Sequence, residues 1–223
     1  MSACVVFLGP SLSHKAARKV VGDACELRPP IKRGDLPSLS ETTALVAIID
    51  GVFQSESAVG HREILDLLRK GVKVVGGGSM GALRAAELDT LGMVGIGTVY
   101  QLYAGGKIDG DDEVALIFNP ENLEALSEPL VNMRHNLEKA RERSVICVEE
   151  ENALLTRMKA LFYPKRTKEK LIEVAKATLE PSKLSEFEKF LKNDYVDIKM
   201  NDAVEVLRYL INTTKLIEKS TKI

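Results

Sequence analysis

Two hydrophobic rhythms divide this chain. In the first half, short continuous apolar runs alternate with segments whose apolar residues recur every three or four positions. Ala3-Cys4-Val5-Val6-Phe7-Leu8, Ala44-Leu45-Val46-Ala47-Ile48-Ile49 and Val72-Lys73-Val74-Val75 have the length and continuity of strands buried on both faces. Between and after them, residues 13–22, 57–70 and 79–90 carry helical spacing, with Ser13 as a cap and Gly71 as a stop signal. Residues 24–27 form a candidate short strand. The stretch Arg28-Pro29-Pro30-Ile31-Lys32-Arg33-Gly34-Asp35-Leu36-Pro37 reads as a stiff loop, because its prolines remove donors and fix φ. Strand and helix in alternation predict an α/β fold, a Rossmann-like parallel sheet flanked by helices.

Past Gly92 the pattern loosens around six glycines between residues 92 and 110, followed by Asp111-Asp112-Glu113 and the apolar run 114–118. From Asn119-Pro120 onward the chain is helical in character, with charged, striped segments at 130–143, 149–161, 167–178, 182–192 and 202–218. The division expected from this change is an α/β core over residues 1–118 and an α-helical region over 119–223. Whether those helices cover the sheet or form their own bundle stays open at this level.

Composition narrows the function classes. With 31 basic and 32 acidic residues the formal net charge is −1, so no global basic field attracts nucleic acid or an anionic membrane. Tryptophan is absent and aromatics are 5 % of the chain, which disfavours a base-stacking platform. The three cysteines, Cys4, Cys25 and Cys147, form no C-x-x-C pair, and each sits in an apolar run where it reads as a small core residue. Neither a signal peptide nor a long apolar span is visible, so the expectation is a soluble protein of the reducing cytoplasm.

The densest chemistry lies at Gly76-Gly77-Gly78-Ser79-Met80-Gly81-Ala82-Leu83-Arg84-Ala85-Ala86-Glu87. It falls where a strand ends and a helix begins, and residues 77–81 read G-x-S-x-G, the pattern of a nucleophile elbow. A bland alternative fits the same letters: a glycine turn whose serine caps the helix. Ligands of a doubly wound sheet collect at the carboxyl edge of its strands. Ser11 and His14 follow the first strand, Asp50 ends the central one, and His61 opens the next helix on a face shared with Ile64, Leu65 and Leu68, pointing toward the sheet. Asp50, His61 and Ser79 are therefore the candidate acid–base–nucleophile set, with His14 in reserve. Gly9, Ser11, His14, Arg33, Gly77, Gly78, Met80, Gly81 and Arg84 make up the expected substrate- or anion-binding surround. His135, beside Asn132 and Asn136, reads as a helix-surface residue. Asp109, Asp111, Asp112 and Glu113 read as a solvated turn rather than a metal site. No lysine follows the last glycine of the loop, as a Walker motif requires, and no cofactor or metal of its own is expected.

Several strings resemble the TfuA-like family: Gly9-Pro10-Ser11-Leu12, Arg28-Pro29-Pro30-Ile31-Lys32-Arg33-Gly34-Asp35, Ile49-Asp50-Gly51-Val52-Phe53, His61-Arg62-Glu63-Ile64-Leu65, Gly78 to Glu87, Gly92-Met93-Val94-Gly95-Ile96-Gly97 and Asp111-Asp112-Glu113-Val114. The resemblance covers the first half of the chain in consistent order. It implies a partner of YcaO enzymes, which use ATP to activate a backbone amide and install sulfur in peptides or in methyl-coenzyme M reductase, as thioglycine. It further implies that sulfide comes from a thiocarboxylated, ubiquitin-like sulfur-carrier protein. Two expectations follow. In one, Ser79 hydrolyses that thiocarboxylate and the glycine-rich edge admits the carrier's Gly-Gly tail through a narrow channel. In the other, the protein is a non-catalytic adaptor that docks YcaO and its substrate or sulfur donor. Neither involves nucleic acid or a membrane.

Overall fold

In the computed structural model, which describes residues 3–53 and 57–220, five parallel strands form one sheet. They are β1 (Cys4–Phe7), β2 (Glu26–Arg28), β3 (Leu45–Ile48), β4 (Lys73–Gly77) and β5 (Val94–Ile96), in the order β2-β1-β3-β4-β5. The helices α1 (His14–Val21), α2 (His61–Arg69), α3 (Met80–Leu88) and α4 (Thr98–Ala104) alternate with them. Strand order reverses between β1 and β3: from β1 the chain goes outward to β2, then returns to build the other side. The crevice at their carboxyl ends is thus the topological switch point of the sheet.

Each strand divides its side chains between two cores, as the two-residue pleat requires. Cys4, Val6, Ala47, Ile49 and Val75 face Ala17 and Val21 of α1, together with Ala203, Val206, Leu207 and Leu210. Val5, Phe7, Val46, Ile48 and Val74 face Ile64 and Leu67 of α2 and Met80, Ala85 and Leu88 of α3. Residues 203–210 belong to the last helix, here α9 (Ile198–Ser220). Residues 1–111, 122–124 and 199–223 form one unit, while residues 112–121 and 125–198 form the other. The last helix joins the sheet unit because its apolar stripe completes one face of the sheet.

The second unit is a bundle of α5 (Leu130–Glu142), α6 (Val148–Lys159), α7 (Lys168–Lys176) and α8 (Pro181–Asn193) around Met133, Leu137, Leu154, Met158, Leu171 and Phe187. Asn132 and Asn136 are buried rather than on a helix surface, since their side chains accept from the Ile198 and Val196 amides. His135 between them is half-buried, and desolvation lowers its pKa. The acidic turn is solvated only in part: Asp109 and Asp111 are exposed, but the next two acids are not free. Glu113 is buried against Arg134, and Asp112 meets the buried Arg166, which also donates to the Met158, Lys159 and Leu161 carbonyls.

Three local features depart from the sequence reading. The glycine-broken region contains β5 and α4, elements too short to show a period. Cys4 and Cys25 are paired in a disulfide in the core rather than standing as separate thiols. The register that sets Val5 beside Glu26 carries Cys4 to Cys25, with Cα atoms 4.7 Å apart. Cys147 is exposed, at the start of α6. Among the described residues, no helix is long and apolar enough to cross a membrane.

The tightest packing in the sheet unit is the seat of α3. A Cβ on Gly81 would stand inside the Ile48 carbonyl, and one on Gly76 inside the Gly81 carbonyl. Gly81→Ala is therefore expected to cost more than about 3 kcal/mol, because backbone rather than a flexible side chain must move. At Gly22 an added Cβ meets nothing, and only the φ of +54° opposes it, so Gly22→Ala should cost about 1 kcal/mol. Urea denaturation of the two variants side by side measures the contrast.

Candidate functional site

Strand β4 ends in a left-handed residue, Gly78 (φ +73°), that turns the chain into α3 with Ser79 at the N-cap. The Ser79 amide donates to the Gly77 carbonyl at 2.8 Å, and the Ser79 carbonyl accepts from Ala82 and Leu83. The Gly81 amide is taken by the Ile49 carbonyl at 3.2 Å, which ties the helix start to the end of β3. These bonds leave the amide of Met80 over, one of the orphan donors of a helix start. The serine hydroxyl does not cap the helix. Ser79 is only 2 % exposed, yet no buried side-chain oxygen among the described residues lacks a partner. The unbonded Oγ is therefore the part of Ser79 that reaches the surface. An uncommitted hydroxyl beside an uncommitted amide is the pairing that a nucleophile elbow provides.

The glycines themselves open no channel. Gly76 and Gly81 fill one another's space, and a Cβ on Gly77 would stand 2.6 Å from the Ile96 carbonyl and from Val206. They are small so that strand, helix and neighbouring strand can touch.

One strand over, at the switch point, Asp50 is 2 % exposed and bridges the ends of β3 and β1. Its Oδ2 accepts from the amides of Gly9 (2.9 Å) and Ser11 (3.0 Å), and its Oδ1 accepts from the Ser11 hydroxyl at 2.6 Å. The Asp50 carbonyl also accepts from Ile31, pulling the proline-rich loop onto the same edge. Two expectations change here. Asp50 does not orient His61. The Gly9 and Ser11 donors expected to meet an anion are turned on a carboxylate of the protein itself.

His61 points outward, with its side chain 49 % exposed. Its Nε2 donates to Glu87 Oε2 at 2.8 Å, the same oxygen that Arg84 reaches at 2.6 Å. Arg84 also donates through Nε to the Val59 carbonyl. Glu87 lies eight residues beyond Ser79, about 12 Å of helix rise, so this bond holds the imidazole two turns away from the serine. The apolar face of α2 is carried by Ile64 and Leu67, one position round from the face drawn through His61. His61, Arg84, Glu87, Arg33, Phe53 and Val59 line a cavity of about 490 Å³, into which Met80 also reaches. His14, by contrast, stays at the strand edge. Its Nε2 donates to the Leu8 carbonyl at 3.0 Å, which fixes the tautomer and leaves the Nδ1 lone pair open. Among the described residues no group of three His, Cys, Asp or Glu side chains is placed to hold a metal ion.

Residues 50–167, more than half of the chain, match the profile of the TfuA-like proteins. The matched span begins at Asp50 and takes in His61, the elbow, Arg84 and Glu87. The chain belongs to the TfuA-like family. That family is associated with YcaO-related thioamide formation, and a YcaO enzyme is its general partner. No curated protein sequence matches the chain.

Two polar residues that pin these elements escaped the sequence reading. Glu87 stands three positions after Arg84, a spacing that sets both on one helix face and was there to be used. Asp202 had no local signal. It is 1 % exposed and caps α4 by accepting from the Thr98 and Val99 amides, more than a hundred residues away along the chain.

Asp50→Ala would strand three buried donors at the switch point. The expected loss is about 3 kcal/mol or more in chemical denaturation. Asp50→Asn should recover only part of it, because an amide nitrogen cannot accept.

Proposed function

We propose that this TfuA-like protein supplies sulfide to a YcaO enzyme by hydrolysing the C-terminal thiocarboxylate of a ubiquitin-like sulfur-carrier protein at Ser79. The observation that supports the reading is the elbow: a serine hydroxyl with no hydrogen bond among the described residues, at a helix start whose next amide is likewise unused there. Ser79 Oγ attacks the thiocarboxylate carbon, and the Met80 amide stabilises the oxygen charge that develops there. The hydroxyl proton passes to an imidazole and from it to the departing sulfur, so the first step yields an acyl-serine and HS⁻. Water then cleaves the ester, returns Ser79 and leaves the carrier carboxylate with one proton released. Among the imidazoles His14 ranks first, since it stays at the strand edge with Nδ1 open, whereas His61 would first have to leave Glu87. Asp50 serves as the clamp of the edge rather than as an orienting acid.

The adaptor reading draws on a different observation. The 490 Å³ cavity with its Arg84–Glu87–His61 group does not include Ser79, and a mixed-charge pocket suits the docking of a partner.

Purified protein mixed with a thiocarboxylated carrier separates the two readings. Ser79→Ala should stay folded and lose sulfide release by at least about a hundredfold. His14→Ala should slow release more than His61→Ala. Sulfur installation by YcaO with free sulfide in excess should survive Ser79→Ala. Undiminished release by the folded variant would remove the nucleophile and leave the adaptor.

A further inference from the structure

The strand order directs a ligand to the crevice between β1 and β3, and the residue standing there is Ser11. Its hydrogen-bonding capacity is already divided. The amide donates to Asp50 Oδ2 at 3.0 Å and the hydroxyl proton to Asp50 Oδ1 at 2.6 Å. A serine oxygen has two lone pairs besides that proton. With the proton held by a 2 % exposed carboxylate, Ser11 Oγ can only accept. The Gly9 amide on the same loop is held the same way, so the donors here are spent, and Ser11, 5 % exposed, keeps acceptor capacity where the sequence suggested donors.

Resting on the hydrolase reading above, we infer that Ser11 is a specificity-determining residue that accepts a hydrogen bond from a backbone N–H of the carrier's C-terminal tail. Parallel strands stand about 4.8 Å apart, so the ends of β1 and β4, with β3 between them, are about 10 Å apart. An extended tail covers about 3.3 Å per residue. A tail whose thiocarboxylate lies at Ser79 and which runs across the strand ends therefore brings one of its last three peptide nitrogens to Ser11. The Met80 amide then meets the oxygen at one end, and the Ser11 oxygen meets an N–H at the other. Opposite polarities at the two ends set the direction in which the tail lies. Asp50 acts through Ser11 as a positioning residue, because its carboxylate holds the hydroxyl proton away from the ligand.

The test is a cycle between enzyme and substrate. Thiocarboxylated carriers are made by semisynthesis with a single N-methyl group at each of the last three peptide bonds, and kcat/KM for sulfide release is measured with wild type and Ser11→Ala. One methyl position should lower kcat/KM of the wild type about tenfold, the loss of one neutral hydrogen bond. Ser11→Ala should cost a similar factor on the unmodified carrier and almost nothing further on that methylated one. Ser11→Thr, which keeps a hydroxyl, should restore the wild-type discrimination. The wild-type comparison stands even where Ser11→Ala is unstable. Additive, hundredfold losses at every position, or no penalty for methylation in the wild type, would overturn the assignment while leaving the hydrolase intact. Absence of sulfide release from the unmodified carrier by wild type would overturn the hydrolase first and the Ser11 assignment with it.

Discussion

Asp50 ties the carboxyl edge of the sheet together. Parallel strands are hydrogen-bonded along their length, but beyond their last ladder bond the emerging loops have no partner of their own. The gap is widest in consequence between β1 and β3, where the strand order reverses and no single crossover links the two loops locally. One buried carboxylate closes it by accepting from the Gly9 amide, the Ser11 amide and the Ser11 hydroxyl, while the Asp50 carbonyl takes the Ile31 amide. A carboxylate so enclosed spends its acceptors on three donors, and those donors are held in place by it. Its role in the site is architectural: it sets which groups at the switch point are left to meet a ligand.

The elbow depends on a second constraint, the absence of side chains between α3 and the sheet. Gly76 and Gly81 pass each other with no room for a Cβ, and the Gly81 amide reaches the Ile49 carbonyl across that contact. Only such an approach brings the start of α3 level with the strand ends and sets the Ser79 hydroxyl beside the Met80 amide. The G-x-S-x-G spacing is thus a packing rule first. The nucleophilic role proposed for Ser79 follows from where that packing puts it.

The fold class was readable because a strand buried on both faces must be apolar without interruption, and β1 and β3 are throughout, as is β4 from Val74 onward. The helices of the second half were readable from their stripes, each appearing within a few residues of its expected span. β5 and α4 were not, since three and seven residues interrupted by glycine show no period. The position of α9 was equally hidden. Its apolar stripe needs a surface, and nothing in the stripe says whether that surface is a sheet face or a bundle.

At the candidate site, the letters alone marked the residues proposed to take part: Ser79 in its glycine turn, Asp50 at a strand end, Ser11 and His14 after β1. Chemical type and position along a strand or helix are local properties, and a sequence carries them directly. Tertiary structure alone decided how those groups are paired. It gave Asp50 to Gly9 and Ser11 instead of His61, gave His61 to Glu87, and left the Ser79 hydroxyl without a hydrogen bond among the described residues. Hydrogen bonds are satisfied at about 3 Å, and such distances between residues dozens of positions apart exist only once strand order and register are set.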